Sequence, residues 1–127
     1  MKTKITAITT ALVASVTFAS SAAAGDEDEI RHAGTCTESS SSKIKVKPDD
    51  GRIEVEFEVD QNQTGEVWKV KIKDNGSVAF KGTATTRGPS GSFEIERKIT
   101  DQSGSDAIKA TAKNKGSGER CSASATL

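Results

Sequence analysis

Three stretches of this chain alternate apolar and charged residues with a period of two, and that alternation permits few folds. Ile44 and Val46 stand between Lys43, Lys45 and Lys47. Ile53, Val55, Phe57 and Val59 are interleaved with Glu54, Glu56 and Glu58, and Trp68, Val70 and Ile72 with Lys69, Lys71 and Lys73. Successive side chains of a strand point to opposite faces, so each stretch reads as a strand with one apolar and one charged face. Weaker versions follow at Val78 and Phe80 (fading through Gly82 to Thr86), at Phe93 and Ile95, at Ile108, Ala110 and Ala112, and at Cys121, Ala123, Ala125 and Leu127. Turn residues separate them: Pro48-Asp49-Asp50-Gly51, Asp74-Asn75-Gly76, Gly88-Pro89-Ser90-Gly91 and Ser103-Gly104. No stretch sustains a helical period. About seven short antiparallel strands over residues 36–127 predict an all-β sandwich or barrel.

The first hairpin can be tested residue by residue. A four-residue loop at Pro48 to Gly51 sets Lys47 opposite Arg52, Val46 opposite Ile53 and Ile44 opposite Val55. On the other face it sets Lys45 opposite Glu54 and Lys43 opposite Glu56, opposite charges at cross-strand positions. The like-charged pair at the loop is the one blemish. Further on, Arg97 falls on the apolar parity between Ile95 and Ile99, which predicts a bulge or an early strand end. The glutamates of the second strand suit the lysines of the third as neighbours, giving a simple meander. They equally suit a sandwich in which those two strands lie in different sheets.

The N-terminus has the three parts of a secretory signal. Lys2 and Lys4 form a positive region, residues 5–18 carry no charge, and Ala22-Ala23-Ala24 supplies a small-residue cleavage pattern. The uncharged stretch is shorter than the roughly 20 residues a spanning helix needs. We therefore expect a signal peptide at 1–24, a flexible acidic leader at 25–35 and the folded domain at 36–127. No lipoprotein pattern precedes Cys36 and no hydrophobic tail follows the last strand, so the expected product is released and not inserted in a membrane. The Lys-led signal has a bacterial style. Without Lys2 and Lys4, the 18 Lys+Arg and 18 Asp+Glu leave a net charge of −2. Such a balance predicts no long-range field for nucleic acid. Two cysteines in a small exported domain are most simply one disulfide, Cys36 to Cys121, since two sulfurs and one distant histidine make a poor zinc site.

The strand spacing and the single tryptophan of the third strand, Glu66-Val67-Trp68-Lys69-Val70, resemble immunoglobulin-like and fibronectin type III-like domains. The likeness spans about residues 36–127 and is one of architecture. It implies a seven-strand antiparallel sandwich, here closed by one disulfide. Two features depart from antibody domains: the cysteines lie at the two ends of the domain, and the chain has no tyrosine. An architecture of this kind hosts many unrelated functions.

Catalytic chemistry is poorly provided for. The one histidine, His32, falls in the expected leader, and a base must be held to activate a nucleophile. No G-x-S-x-G, H-E-x-x-H or P-loop occurs. Asp60, Asn62 and Thr64 followed by Gly65 open like a calcium loop, but Lys71 stands where its bidentate glutamate belongs. Phe57, Trp68, Phe80 and Phe93 all fall on apolar parities, which leaves no aromatic platform for sugars or bases. Arg87, in the loop Thr86-Arg87-Gly88-Pro89-Ser90-Gly91, offers a protease-inhibitor reading, although no disulfide braces that loop.

The expectation is a secreted (extracellular or periplasmic) monomer without cofactor or catalysis. It would bind an extracellular protein or envelope polymer, not nucleic acid, through end loops and polar faces such as Lys69, Lys71 and Lys73. An Arg87-loop inhibitor and a calcium-dependent module are the alternatives.

Overall fold

The computed structural model describes residues 28–127; the expected signal peptide and the first residues of the expected leader lie outside them. Nine strands follow in order: β1 (Ile30–Ala33), β2 (Thr35–Cys36), β3 (Ser41–Asp49), β4 (Arg52–Asp60), β5 (Val67–Asp74), β6 (Ser77–Thr85), β7 (Ser92–Thr100), β8 (Ala107–Asn114) and β9 (Arg120–Thr126). They form two antiparallel sheets, a four-stranded one ordered β1-β3-β4-β7 and a five-stranded one ordered β2-β9-β8-β5-β6. The meander is excluded: β4 lies between β3 and β7, whereas β5 lies between β6 and β8 in the other sheet. The arrangement also differs from the antibody constant type, in which the fourth of seven strands joins the first sheet; here its counterpart, β6, pairs with β5.

The alternation seen in the sequence becomes the core. Ile44, Val46, Ile53, Val55, Phe57, Val59, Trp68, Val70 and Ile72 are all buried, and the alanines of β8 and β9 close against them. Trp68 meets Phe93 with ring centroids 6.0 Å apart, and Phe93 meets Phe57 edge-on at 6.4 Å. The indole Nε1 donates to Gln61 Oε1 at 2.9 Å, so its one polar atom is satisfied inside.

The first hairpin keeps the expected faces in a register shifted by two residues. Asp50 and Gly51 (φ 47° and 76°) form a two-residue turn, and the partners are Asp49 with Arg52, Val46 with Val55, and Ile44 with Phe57. Consecutive left-handed residues match the strand twist, and Asp-Gly is favoured there. Lys47 thereby faces Glu54 instead of Arg52, and the expected blemish disappears.

Three further expectations are corrected. The leader does not extend to residue 35. Residues 30–33 pair with β3 and Thr35–Cys36 with β9, so the N-terminal segment crosses from one sheet to the other at Gly34. A side chain at Gly34 would come within 2.3 Å of Ser122 O and Ser42 Oγ, so the crossing needs glycine. Secondly, β6 carries a bulge opposite Ile72/Lys73, which turns Val78 out to solvent, 54% exposed, while Phe80 remains against the core. Thirdly, β7 neither bulges nor stops at Arg97. The Arg97 guanidinium lies 4.5 Å from the centroid of Phe80, which it covers from solvent.

Candidate functional site

The two sheets expose faces of opposite electrostatic design. On the four-stranded sheet the lysines meet carboxylates, Lys43 with Glu58 at 3.5 Å, Lys45 with Glu56, Lys47 with Glu54 at 3.7 Å, and Lys98 with Asp49 at 3.0 Å, beside three like-charged cross-strand pairs, Arg31 with Lys45, Glu56 with Glu96 and Glu58 with Glu94. The Glu56 carboxylate raises the Lys45 ammonium above its ordinary range, and Asp49 does the same for Lys98. Glu96, opposite Glu56, is held above the usual carboxylate range by Glu54 first and Glu56 after it.

The outer face of the five-stranded sheet has no such balance. Lys69, Lys71 and Lys73 of β5 share it with Lys81 of β6, Lys109 and Lys113 of β8, and Arg120 of β9. Four cross-strand pairs are like-charged: Lys71 with Lys81, Lys69 with Lys113, Lys73 with Lys109, and Lys113 with Arg120. The positions between them are filled by Thr35, Thr83, Thr111 and Ser122, and no Asp or Glu occupies this face among the described residues. None of these seven cations forms an ion pair with a described residue. The centre of the face forms an open trough of about 750 Å³, running from Thr35 and Thr37 past Arg120, Lys113 and Lys69 to Lys81 and Thr83.

The disulfide borders this trough. Cys36 and Cys121 are bonded and directly paired across β2 and β9, with Cα atoms 4.0 Å apart. The bridge therefore joins neighbouring strands of one sheet. Beside it the buried Glu119 carboxylate accepts the main-chain N–H groups of Glu38 (3.0 Å) and Ser40 (3.1 Å) and the Ser40 hydroxyl, holding the segment after Cys36 in place. This anchor was not read from the sequence, where Glu119 has no pattern to mark it.

The other sequence candidates have structural duties. Asp60 Oδ1 accepts the Asn62 N–H at 3.0 Å and caps a turn, Asn62 has φ 62°, and Asn62 and Thr64 are exposed. Arg87 is exposed; its N–H donates to Ser92 O (2.9 Å) and its carbonyl accepts from the Gly91 N–H (2.9 Å). The loop it begins is braced without a disulfide: Gln61 N–H donates to Gly91 O at 3.0 Å and the Thr86 hydroxyl to Gln63 O at 2.6 Å. His32 is held in β1, not on a mobile arm. Its Nδ1 lies 2.9 Å from Ser124 O, and a carbonyl partner requires Nδ1 to carry the proton.

Among the described residues two sets of three ligating side chains cluster within 4.8 Å, Cys36–Glu119–Cys121 and Glu54–Glu56–Glu96. In the first the sulfurs are spent in the disulfide, and in the second Glu54 and Glu56 face lysines.

No known family model matches the sequence, and no curated protein matches it. Among solved structures the chain is similar to chicken MD-1, solved in complex with lipid IVa. The identity is 14%, over 76% of this chain and 96% of that one, with a TM-score of 0.31. A likeness at that level says nothing of ligand or activity. The functional reading rests on the residues themselves.

Proposed function

We propose that this protein is a non-catalytic binding module, acting outside the cytoplasm, that presents the basic face of its five-stranded sheet to an anionic envelope polymer. The four like-charged cross-strand pairs carry the reading. Like charges directly opposite one another destabilise a sheet. The other sheet also has like-charged partners, Arg31 with Lys45, Glu56 with Glu96 and Glu58 with Glu94, but each of these adjoins a residue of opposite charge, since the lysines of β3 meet the glutamates of β4. The unpaired face therefore costs stability, and an anionic partner that neutralises it recovers that cost.

Geometry favours a flexible chain of repeated anions. Same-face residues on a strand are spaced by about 6.6 Å and adjacent strands by about 4.8 Å, so the cations form a lattice at the spacing of successive anionic groups in a polymer. Hydroxyls between them offer hydrogen bonds to anionic oxygens, and the trough keeps the polymer on the sheet. No aromatic ring of the described residues lies on this face: Trp68, Phe57 and Phe93 are buried and Phe80 packs against the core. The face thus lacks the stacking platforms with which single-stranded nucleic acid is held. A disulfide fits an oxidising compartment.

The test uses immobilised long-chain polyphosphate as probe, with a DNA duplex and anionic lipid vesicles as competitors. Binding should be measurable near 0.15 M salt and weaken steeply as salt rises, with a slope of about −3 to −5 in log K against log salt for five to seven contacts. Lys71→Glu with Lys81→Glu should abolish it, whereas Lys45→Glu on the opposite sheet should not. Equal binding by the two variants, or no binding by the wild type, refutes the assignment. Stronger capture by DNA or vesicles refutes the choice of polymer.

A further inference from the structure

We infer that two copies of this chain pair through the outer face of the four-stranded sheet, face to face about a two-fold axis parallel to the strands, in place of the monomer expected from the sequence. The observation that carries this is the order of charges across that face. In one row the cross-strand partners are Arg31, Lys45, Glu56 and Glu96, which runs plus, plus, minus, minus. The row on one side of it is Ala33, Lys43, Glu58 and Glu94. The row on the other side holds Lys47, Glu54 and Lys98, and continuing the β1 register by one residue sets Glu29 beside Lys47. That row runs minus, plus, minus, plus.

Each row is therefore complementary to its own reversal. A two-fold axis over the seam between β3 and β4 makes that reversal, laying β3 of one copy over β4 of the other and β1 over β7. Lys43, Lys45 and Lys47 then meet Glu58, Glu56 and Glu54 of the second copy. At the outer strands Arg31 meets Glu96, and Lys98 meets Glu29. Glu94 comes over Ala33, where the face has a hollow of about 310 Å³ with Arg31 and Lys43 among its walls. No like charges of the described residues oppose each other in these three rows. One patch serves both copies, as a closed dimer requires.

Within a single copy the outer strands lack such partners across the sheet. Glu96 and Glu94 are exposed and stand opposite Glu56 and Glu58. Arg31 reaches Glu29, two residues back, but stands opposite Lys45. Glu54 first and Glu56 after it hold the Glu96 carboxyl above its usual range, as a surplus of anions would. Like charges at cross-strand positions destabilise a sheet, and a second copy brings the opposite charge to each. The face measures about 19 Å across four strands and about 30 Å along nine residues, roughly 570 Å² per copy. The two copies together bury about 1,100 Å², just above the lower bound for a specific interface. Held by exposed ion pairs, the dimer is weak and sensitive to salt. Both five-stranded sheets face outward in it, so the basic faces stay open.

Sedimentation velocity of the full mature chain, disulfide intact, is run at about 0.01 to about 0.5 mM protein in about 0.05 M and about 1 M sodium chloride. The wild type should dimerise at the lower salt, with a dissociation constant about tenfold or more higher at the upper. Arg31→Glu alone and Glu96→Arg alone should each lose the dimer, because each sets like charges face to face twice. Both relieve a like-charged pair within the chain, so both should fold. Mixed in equal amounts they should dimerise again, since each substituted position then faces the other. Lys71→Glu with Lys81→Glu should leave the dimer intact, which separates this result from the polymer reading. A wild type monomeric at both salts overturns the inference, and so does a dimer indifferent to salt or to both single substitutions. A mixture that stays monomeric overturns the two-fold register. Assembly beyond the dimer, or its loss in Lys71→Glu with Lys81→Glu, overturns it in favour of a contact between the basic face of one copy and the acidic strands of the next.

Discussion

Lys113→Glu should make this protein more stable while weakening its hold on a polyanion, a combination a merely decorative surface would not produce. Lys113 stands between Lys69 on one neighbouring strand and Arg120 on the other, so it makes two of the four like-charged pairs. Two unit charges about 5 Å apart in water interact by roughly 0.8 kcal/mol, and physiological salt about halves that for exposed groups. Reversing one charge turns a repulsion of about 0.4 kcal/mol into an attraction of similar size. The change is thus about 0.8 kcal/mol per pair and about 1.5 kcal/mol for both, within the range known for cross-strand pairs. For a domain of about 100 residues that raises the melting temperature by roughly 5–10 °C. The assay is thermal unfolding at 0.15 M and at 1 M sodium chloride. The gain should shrink at the higher salt, where the screening length is about 3 Å. Unchanged or lowered stability refutes the repulsive lattice, as does a gain indifferent to salt, and the binding proposal would lose the observation that carries it.

Other consequences can be checked in the same melts or by denaturant titration. Gly34→Val should cost roughly 2–3 kcal/mol, because its Cβ falls within 2.7 Å of Ala123 Cβ as well as on two oxygens; stability equal to wild type would show the sheet crossing to be adaptable. Replacing Cys36 and Cys121 together by alanine should cost up to about 4–5 kcal/mol, from the closure entropy of a loop with a sequence separation of 85. Trp68→Ala should cost roughly 3–5 kcal/mol and leave Gln61 without its indole donor.

The sequence made most of the sandwich legible because burial imposes a parity that one slip would invert. The strands with a charged outer face, β3, β4 and β5, were read without ambiguity. The misreadings fall where parity carries no information. In Ile30-Arg31-His32-Ala33 only Ile30 packs against the core, so the strand exists through main-chain pairing with β3, which leaves no mark on composition. The hairpin register needed the choice between a four-residue loop and a two-residue Asp-Gly turn, and both keep the same residues inside. At Val78 the bulge after a tight turn inverted a parity that had been extended unbroken from Phe80. Asp74 was legible only as a turn residue beside Asn75-Gly76; its burial follows from the loop at 101–106, far away in sequence.

The basic face was half visible, and the missing half explains why net charge misled. The lysines of β5 stood out, but Lys81, Lys109, Lys113 and Arg120 are scattered over three other strands. They become neighbours only once β9, β8, β5 and β6 are laid side by side in that order. The same ordering sends the glutamates of β4 and β7 to the opposite side of the molecule. A chain with 18 positive and 18 negative side chains is therefore neutral in sum and polarised in space. At physiological salt a polymer on one sheet responds to charges within about 8 Å. Charges on the far sheet, beyond two layers of backbone about 10 Å apart, are largely screened from it. Net charge describes only the far field. What binds a polyanion at contact distance is the local lattice, and sheet topology, not composition, assembles it.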